Sequence, residues 1–187
     1  MIEENVILVN EKDEPIGLMP KMEAHEKAVL HRAFSVFVFN SANELLMQKR
    51  ASSKYHSGGL WTNTCCSHQR EHESDLDAAT RRLKEEMGIE TPLYKTFSFI
   101  YKAELDNNLT EHEFDHVFVG YYDGEILFNK EEVDDYYFGT IEEINEKKYN
   151  NLIMLNIGFL YACCLHLAQP YESSAKPQKE ILQATTK

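Results

Sequence analysis

The feature that most limits the fold of this chain is one strong helix signal, residues 74–88, set among strands. Ser74 is a good N-cap, and Asp77 three residues on makes a weak capping box. Leu76, Ala79, Leu83 and Met87 recur at helical spacing, and Gly88 stands at the C-terminal stop. Before this helix, residues 5–9 and 33–39 read as strands, with a short edge element at 16–18 and a short helix within 21–30. Residues 45–49 return across the turn at 40–43 as a hairpin, and 50–59 read as an irregular polar loop. After the helix come strands at 94–101 and 114–122, the second turning at Asp123-Gly124 into 125–128. Helices are expected at 141–149 and 152–167. Strands and helices do not alternate regularly, which argues against a doubly wound parallel sheet and for a mixed-sheet α/β sandwich.

The 187 residues suffice for one domain with a sizeable core, and an apolar content of 43% with 27% charged residues is that of a globular chain. No run approaches a membrane span, and the acidic start Met1-Ile2-Glu3-Glu4 lacks a secretory pattern, so a cytoplasmic location is expected. The net charge of -12 repels nucleic acid and anionic membranes, so neither is an expected partner. An anionic small molecule needs local cations to offset that field. The four cysteines fall in adjacent pairs, Cys65/Cys66 and Cys163/Cys164, which is no disulfide framework; the second pair sits in an apolar helix and reads as core.

Chemistry concentrates on the loop 58–68, which holds Gly58, Gly59, Trp61, Cys65, Cys66 and His68. Three readings of Cys66 stand side by side: a low-pKa thiol for acid–base or nucleophilic work, a zinc ligand with Cys65, His68 and His72, or a small buried apolar group. Adjacent cysteines span two tetrahedral vertices poorly, which disfavours the second. His25, His31 and His68 flank the loop, and Glu111 and Glu113 stand at i and i+2 of a strand, hence on one face. Together they make a donor set suited to Zn²⁺, Mn²⁺ or Fe²⁺, or else a chance scatter among eight histidines. Lys21, Arg50, Lys54 and Arg82 form a cationic group that suits a diphosphate or, equally, surface ion pairs such as Arg82 with Glu86. Glu85 and Glu86 end the helix at its negative pole, at a cost of about 0.3–1 kcal/mol per charge unless a cation joins them. Mg²⁺ with a substrate phosphate is such a cation.

Taken together, residues 67–89 resemble the Nudix box: Glu73, Arg81, Leu83, Glu85, Glu86, Gly88 and Ile89 match in register. Ser67 replaces the leading glycine, and Arg82 replaces the first glutamate of the Arg-Glu pair. That change removes a metal ligand and adds a phosphate binder. With the preceding Trp61-Thr62-Asn63-Thr64-Cys65-Cys66-Ser67-His68, the altered box resembles the type I isopentenyl-diphosphate isomerases, over about residues 5–137.

The resemblance implies a Nudix-like mixed-sheet α/β/α sandwich, with one catalytic domain over residues 1–169 and a polar, poorly ordered tail at 170–187. It implies His25, His31, His68, Glu111 and Glu113 as ligands of one Zn²⁺ or Mn²⁺, and Glu86 on a substrate-bound Mg²⁺. Lys21, Arg50, Lys54 and Arg82 would hold an allylic or homoallylic diphosphate. Cys66 and Glu113 would be the acid–base pair, with Tyr101 assisting. The family carries a tryptophan in its C-terminal third against the carbocation. Trp61 is the only tryptophan here. Phe159 stands near the equivalent position, Tyr137, Tyr149, Met154 and Tyr161 are alternatives, and Trp61 is a candidate wall; Gln69 replaces a family proline. Two other readings fit parts of the pattern: a Nudix hydrolase of a nucleoside diphosphate derivative, against which Arg82 argues, and a non-catalytic metal- and diphosphate-binding module.

Overall fold

Strand β3 (His31–Phe39) is the axis of the molecule, because its alternating residues serve two cores at once. The computed structural model describes residues 4–54 and 57–149. Along one edge, β3 pairs in parallel with β8 (Thr110–Tyr121), from His31 opposite Glu113 to Phe39 opposite Tyr121. Strand β7 (Tyr94–Glu104) then lies antiparallel on β8. The other edge of β3 is shared. Strand β1 (Asn5–Val9) meets it at His31, β6 (Cys65–Ser67) at Phe34 to Val36, and β4 (Leu45–Arg50) only at Phe39. Strand β2 (Pro15–Pro20) flanks β1, whereas β4 carries β5 (Trp61–Thr62) and β9 (Val133–Gly139).

Helix α2 (Asp75–Met87) covers one face. The Ser74 hydroxyl accepts from the Asp77 N–H at 3.1 Å, and Gly88 takes the left-handed conformation at φ 69. Any Cβ on Gly88 would sit 2.5 Å from the Leu127 carbonyl oxygen, so the position needs glycine twice over. Ala78, Ala79, Leu83 and Met87 face Phe34, Val36, Val38 and Phe118. Leu76, expected on this stripe, is instead 43% exposed. On the opposite face Phe37, Phe39, Met47, Val117 and Val119 meet Ile144 of α3 (Ile141–Tyr149). The result is the expected mixed sheet between helices. Helix α1 (Lys21–Glu26) closes one end.

Several local expectations change. The hairpin of β3 and β4 touches at one residue pair before the strands diverge, because β6 occupies the adjacent stretch of β3. Residues 125–128 form no strand, and β9 takes the place beside β4. The loop after β4 contains β5 and β6. The expected helix at 152–167, the Cys163/Cys164 pair and the tail at 170–187 lie outside the described residues. Among the described residues no helix is long and apolar enough to cross a membrane.

Candidate active site

Strand alternation builds the site. On β8, Glu111, Glu113 and Asp115 share the face away from α2. The register sets Tyr101 of β7 opposite Glu113, Ala103 opposite Glu111, and His31 of β3 opposite Glu113 from the other side. On β6, Cys66 lies opposite Ser35 and faces the same side, whereas Cys65 lies opposite Val36 and is buried in the α2 core. The two adjacent thiols are thereby sent to different faces of the sheet. Ser35, Cys66, Tyr101, Glu111, Glu113 and Asp115 line a cavity of about 230 Å³ with Phe37 and Phe99 as apolar walls.

At one end of the cavity His25, His31, His68 and Glu113 converge, with one donor atom of each within 4.8 Å of all the others. His25 donates its Nδ1 proton to Lys21 O at 2.7 Å, and His31 donates its own to Val29 O at 2.8 Å. Each ring thereby turns its Nε2 toward the other members of the group. His31 Nε2 and His68 Nε2 stand 3.2 Å apart, and Glu113 Oε1 lies 3.1 Å from His68 Nε2 and 3.5 Å from His31 Nε2. Burial, and then the charge of Lys21, push His68 down to about 3, so the imidazole stays neutral. Burial raises the Glu113 carboxyl, but hydrogen bonds from His31 and His68 outweigh it and hold the group well below the usual carboxylate range. Three imidazoles converging with one ionised carboxylate are the donor set of a Zn²⁺ or Mn²⁺ site, and these residues fit such an ion.

Glu111 is outside this four-residue group. It joins it through Tyr101, whose hydroxyl lies 2.6 Å from Glu113 Oε2 and 3.1 Å from Glu111 Oε2. Burial, and then the charge of Glu113, push Glu111 up to about 7. Across the cavity, burial pushes the Cys66 thiol up to about 12, even though the Arg50 guanidinium pulls it down, so the sulfur holds its proton.

The four expected cations divide into two pairs. Lys21 and Arg50 line the cavity. Arg50 Nε is buried and has no hydrogen-bond partner among the described residues. Lys54 and Arg82 instead meet on Glu132, and Arg82 also reaches Glu86 Oε1 at 2.5 Å and Glu85 at 3.0 Å. Glu86 Oε2 accepts from Gln48 Nε2 at 2.9 Å, so its carboxylate is held on both sides. Trp61 does not line the cavity; it packs edge-on against Tyr137, with ring centroids 4.7 Å apart. Phe159, Met154 and Tyr161 lie outside the described residues. Sequence reasoning missed Glu132, Gln48 and the Ser35–Asp115 pair, in which the serine hydroxyl donates at 2.7 Å. The i, i+2, i+4 spacing of Glu111, Glu113 and Asp115 was the available signal for Asp115; nothing local marks Glu132.

The sandwich and the helix-borne box, with Arg81 forked onto Glu73 at 2.6 and 2.8 Å, define a Nudix domain. The NUDIX domain family matches residues 29–155. A solved structure from Deinococcus radiodurans superposes with a TM-score of 0.71 at 20% identity, covering 86% of this chain and 99% of that one. A Nudix hydrolase of Nitrosomonas europaea gives 0.55 at 15% identity over 74% and 90%. These two share the fold. In sequence, the chain is 52% identical over 143 residues to isopentenyl-diphosphate Delta-isomerase 2 of Aromatoleum aromaticum, covering 76% of each. It is 45% identical over 159 residues to the isopentenyl-diphosphate Delta-isomerase of Serratia proteamaculans, covering 85% of this chain and 89% of that one. The chain belongs to the Nudix family and, within it, to the isopentenyl-diphosphate Delta-isomerases.

Proposed function

We propose that this protein interconverts isopentenyl diphosphate and dimethylallyl diphosphate in the cytoplasm, by moving a double bond one position with paired proton transfers. The observation that carries the reading is one cavity with two groups suited to proton transfer on separate strands: Cys66 on β6, and Glu113 with Tyr101 on β8 and β7. One group delivers a proton to the terminal alkene carbon, C4, forming a C–H bond and leaving positive charge at C3. The other takes a proton from C2, and that electron pair becomes the new double bond; in the reverse direction the roles exchange. Tyr101 relays between Glu113 and Glu111, whose carboxyl near 7 can give or take a proton at neutral pH. Phe37 and Phe99 exclude the water that would quench the cation.

His25, His31, His68 and Glu113, with Glu111 beside them, are the proposed ligands of one Zn²⁺ or Mn²⁺. Bound there, the ion supplies positive charge that fixes the Glu113 carboxylate and tunes its acidity. Lys21 and Arg50 are proposed to grip the diphosphate, supported by the orphaned Arg50 Nε. Arg82 and Lys54 support it from behind by holding Glu86 and Glu132, and Glu86 is the proposed contact to a substrate-bound Mg²⁺. The replacement of a box glutamate by Arg82 favours holding a diphosphate over cutting it. Proton NMR of substrate in D₂O with Mg²⁺ and Zn²⁺ or Mn²⁺ tests the reading. Allylic product with deuterium incorporation is expected; its absence from folded, metal-loaded protein, or phosphate release in its place, overturns it.

A further inference from the structure

The carbonyls of residues 21–31 hold imidazoles. Lys21 O receives His25 and Val29 O receives His31, the two pairs that orient proposed ligands. A third carbonyl of the same stretch, Ala28 O, receives an imidazole from elsewhere in the chain: His112 Nδ1 lies 2.9 Å from it. A carbonyl oxygen only accepts, so this nitrogen carries the proton. His112 stands between Glu111 and Glu113 on β8, and strand alternation turns it away from their face; it is not in the converging donor group.

What it holds is a strained turn. Ala28 sits at φ 53, a left-handed conformation that a residue with a Cβ adopts reluctantly. This turn follows α1, and Val29 N–H returns to Ala24 O at 3.0 Å. His25 lies three residues before Ala28 and His31 three residues after. The angle of the chain at Ala28 therefore sets how the two rings meet.

We propose that His112 is a positioning residue for the metal centre: its hydrogen bond to Ala28 O locks the turn that aims His25 and His31 at Glu113. One strand then fixes both halves of the ligand set, the carboxylate directly through residue 113 and the imidazoles through residue 112. The proposal rests on the reading of those residues as a metal site. Its test is metal affinity, measured on the full chain stripped of metal and titrated with Zn²⁺ against a chromophoric chelator. His112→Ala is expected to weaken Zn²⁺ binding about tenfold, as loss of a supporting hydrogen bond does elsewhere. His112→Asn, which returns an N–H near the Nδ1 position, is expected to restore most of it. A merely structural role would lower the unfolding temperature of both variants without separating them in affinity. If His112→Ala fails to fold, His112→Phe keeps the ring without the donor and serves the same comparison. Zn²⁺ affinity within twofold of wild type in the donor-less variant, or no recovery in His112→Asn, overturns the role of His112 alone. A wild-type protein that does not bind Zn²⁺ overturns the metal site with it.

Discussion

At the residue scale, the two adjacent cysteines have opposite fates. Cys66→Ala should lower kcat by about 10²–10⁴-fold, read by the D₂O assay, with little change in unfolding temperature. Cys65→Ala should leave turnover in place and reduce stability by about 1 kcal/mol in urea titration, since that thiol fills the α2 core. The loop's chemistry was legible in the sequence, and so were the three histidines and Glu113 that converge. Which thiol faces which core was not, because it depends on Cys66 pairing with Ser35 rather than with a residue of the other parity. A second residue-scale expectation concerns Glu73. The Arg81 hydrogen bonds hold its carboxyl below the usual range. A depressed carboxylate contributes stability that is present above its unfolded value, near 4, and lost as pH falls through the folded one. Glu73→Gln should therefore flatten that part of the acid side of the stability profile and lower stability at pH 7 by about 1–2 kcal/mol.

At the scale of elements, α2 was readable from both ends, since Ser74 and Gly88 act through local geometry alone. Strands β5 and β6 were not, because elements of two and three residues have no period to detect. Strand β9 carries Asp134 and Asp135 near its start, which breaks the apolar alternation a strand signal needs. Its approach brings in the loop bearing Glu132, and with it the acidic partner of Lys54 and Arg82. The same arrangement explains why Arg82 does not line the cavity: it lies among Glu85, Glu86 and Glu132. Arg82→Glu, which restores the usual box residue, should then leave the buried Glu86 without its counter-charge and cost about 3 kcal/mol or more in denaturant titration. It should also raise the KM for the diphosphate substrate. Gly88→Ala should cost at least about 2 kcal/mol, from the left-handed backbone and the Leu127 carbonyl together.

At the scale of the whole molecule, the proposed metal centre joins α1, β3, β8 and the chain just after β6. Stripping the ion should therefore loosen the assembly broadly. With metal at 100 times its dissociation constant the linkage is about 2.7 kcal/mol, so chelation should lower the unfolding temperature by about 5–10 °C in calorimetry. Acid should have the same effect. Burial holds His25 and His68 below the ordinary imidazole value, so metal should be released only as pH falls well below about 6.5, read by metal analysis after dialysis.

The alternation along β8 also bears on how such a chain can vary. Glu111, Glu113 and Asp115 face the cavity while His112 and His116 face away, so losing or gaining one residue here exchanges the two sets. Descendants of this sequence can change length within β8 only in steps of two, or by looping the extra residue out as a bulge. Lengthening between β8 and β9, where residues 122–132 run outside any strand or helix, meets no such rule. Length differences among related chains should collect there.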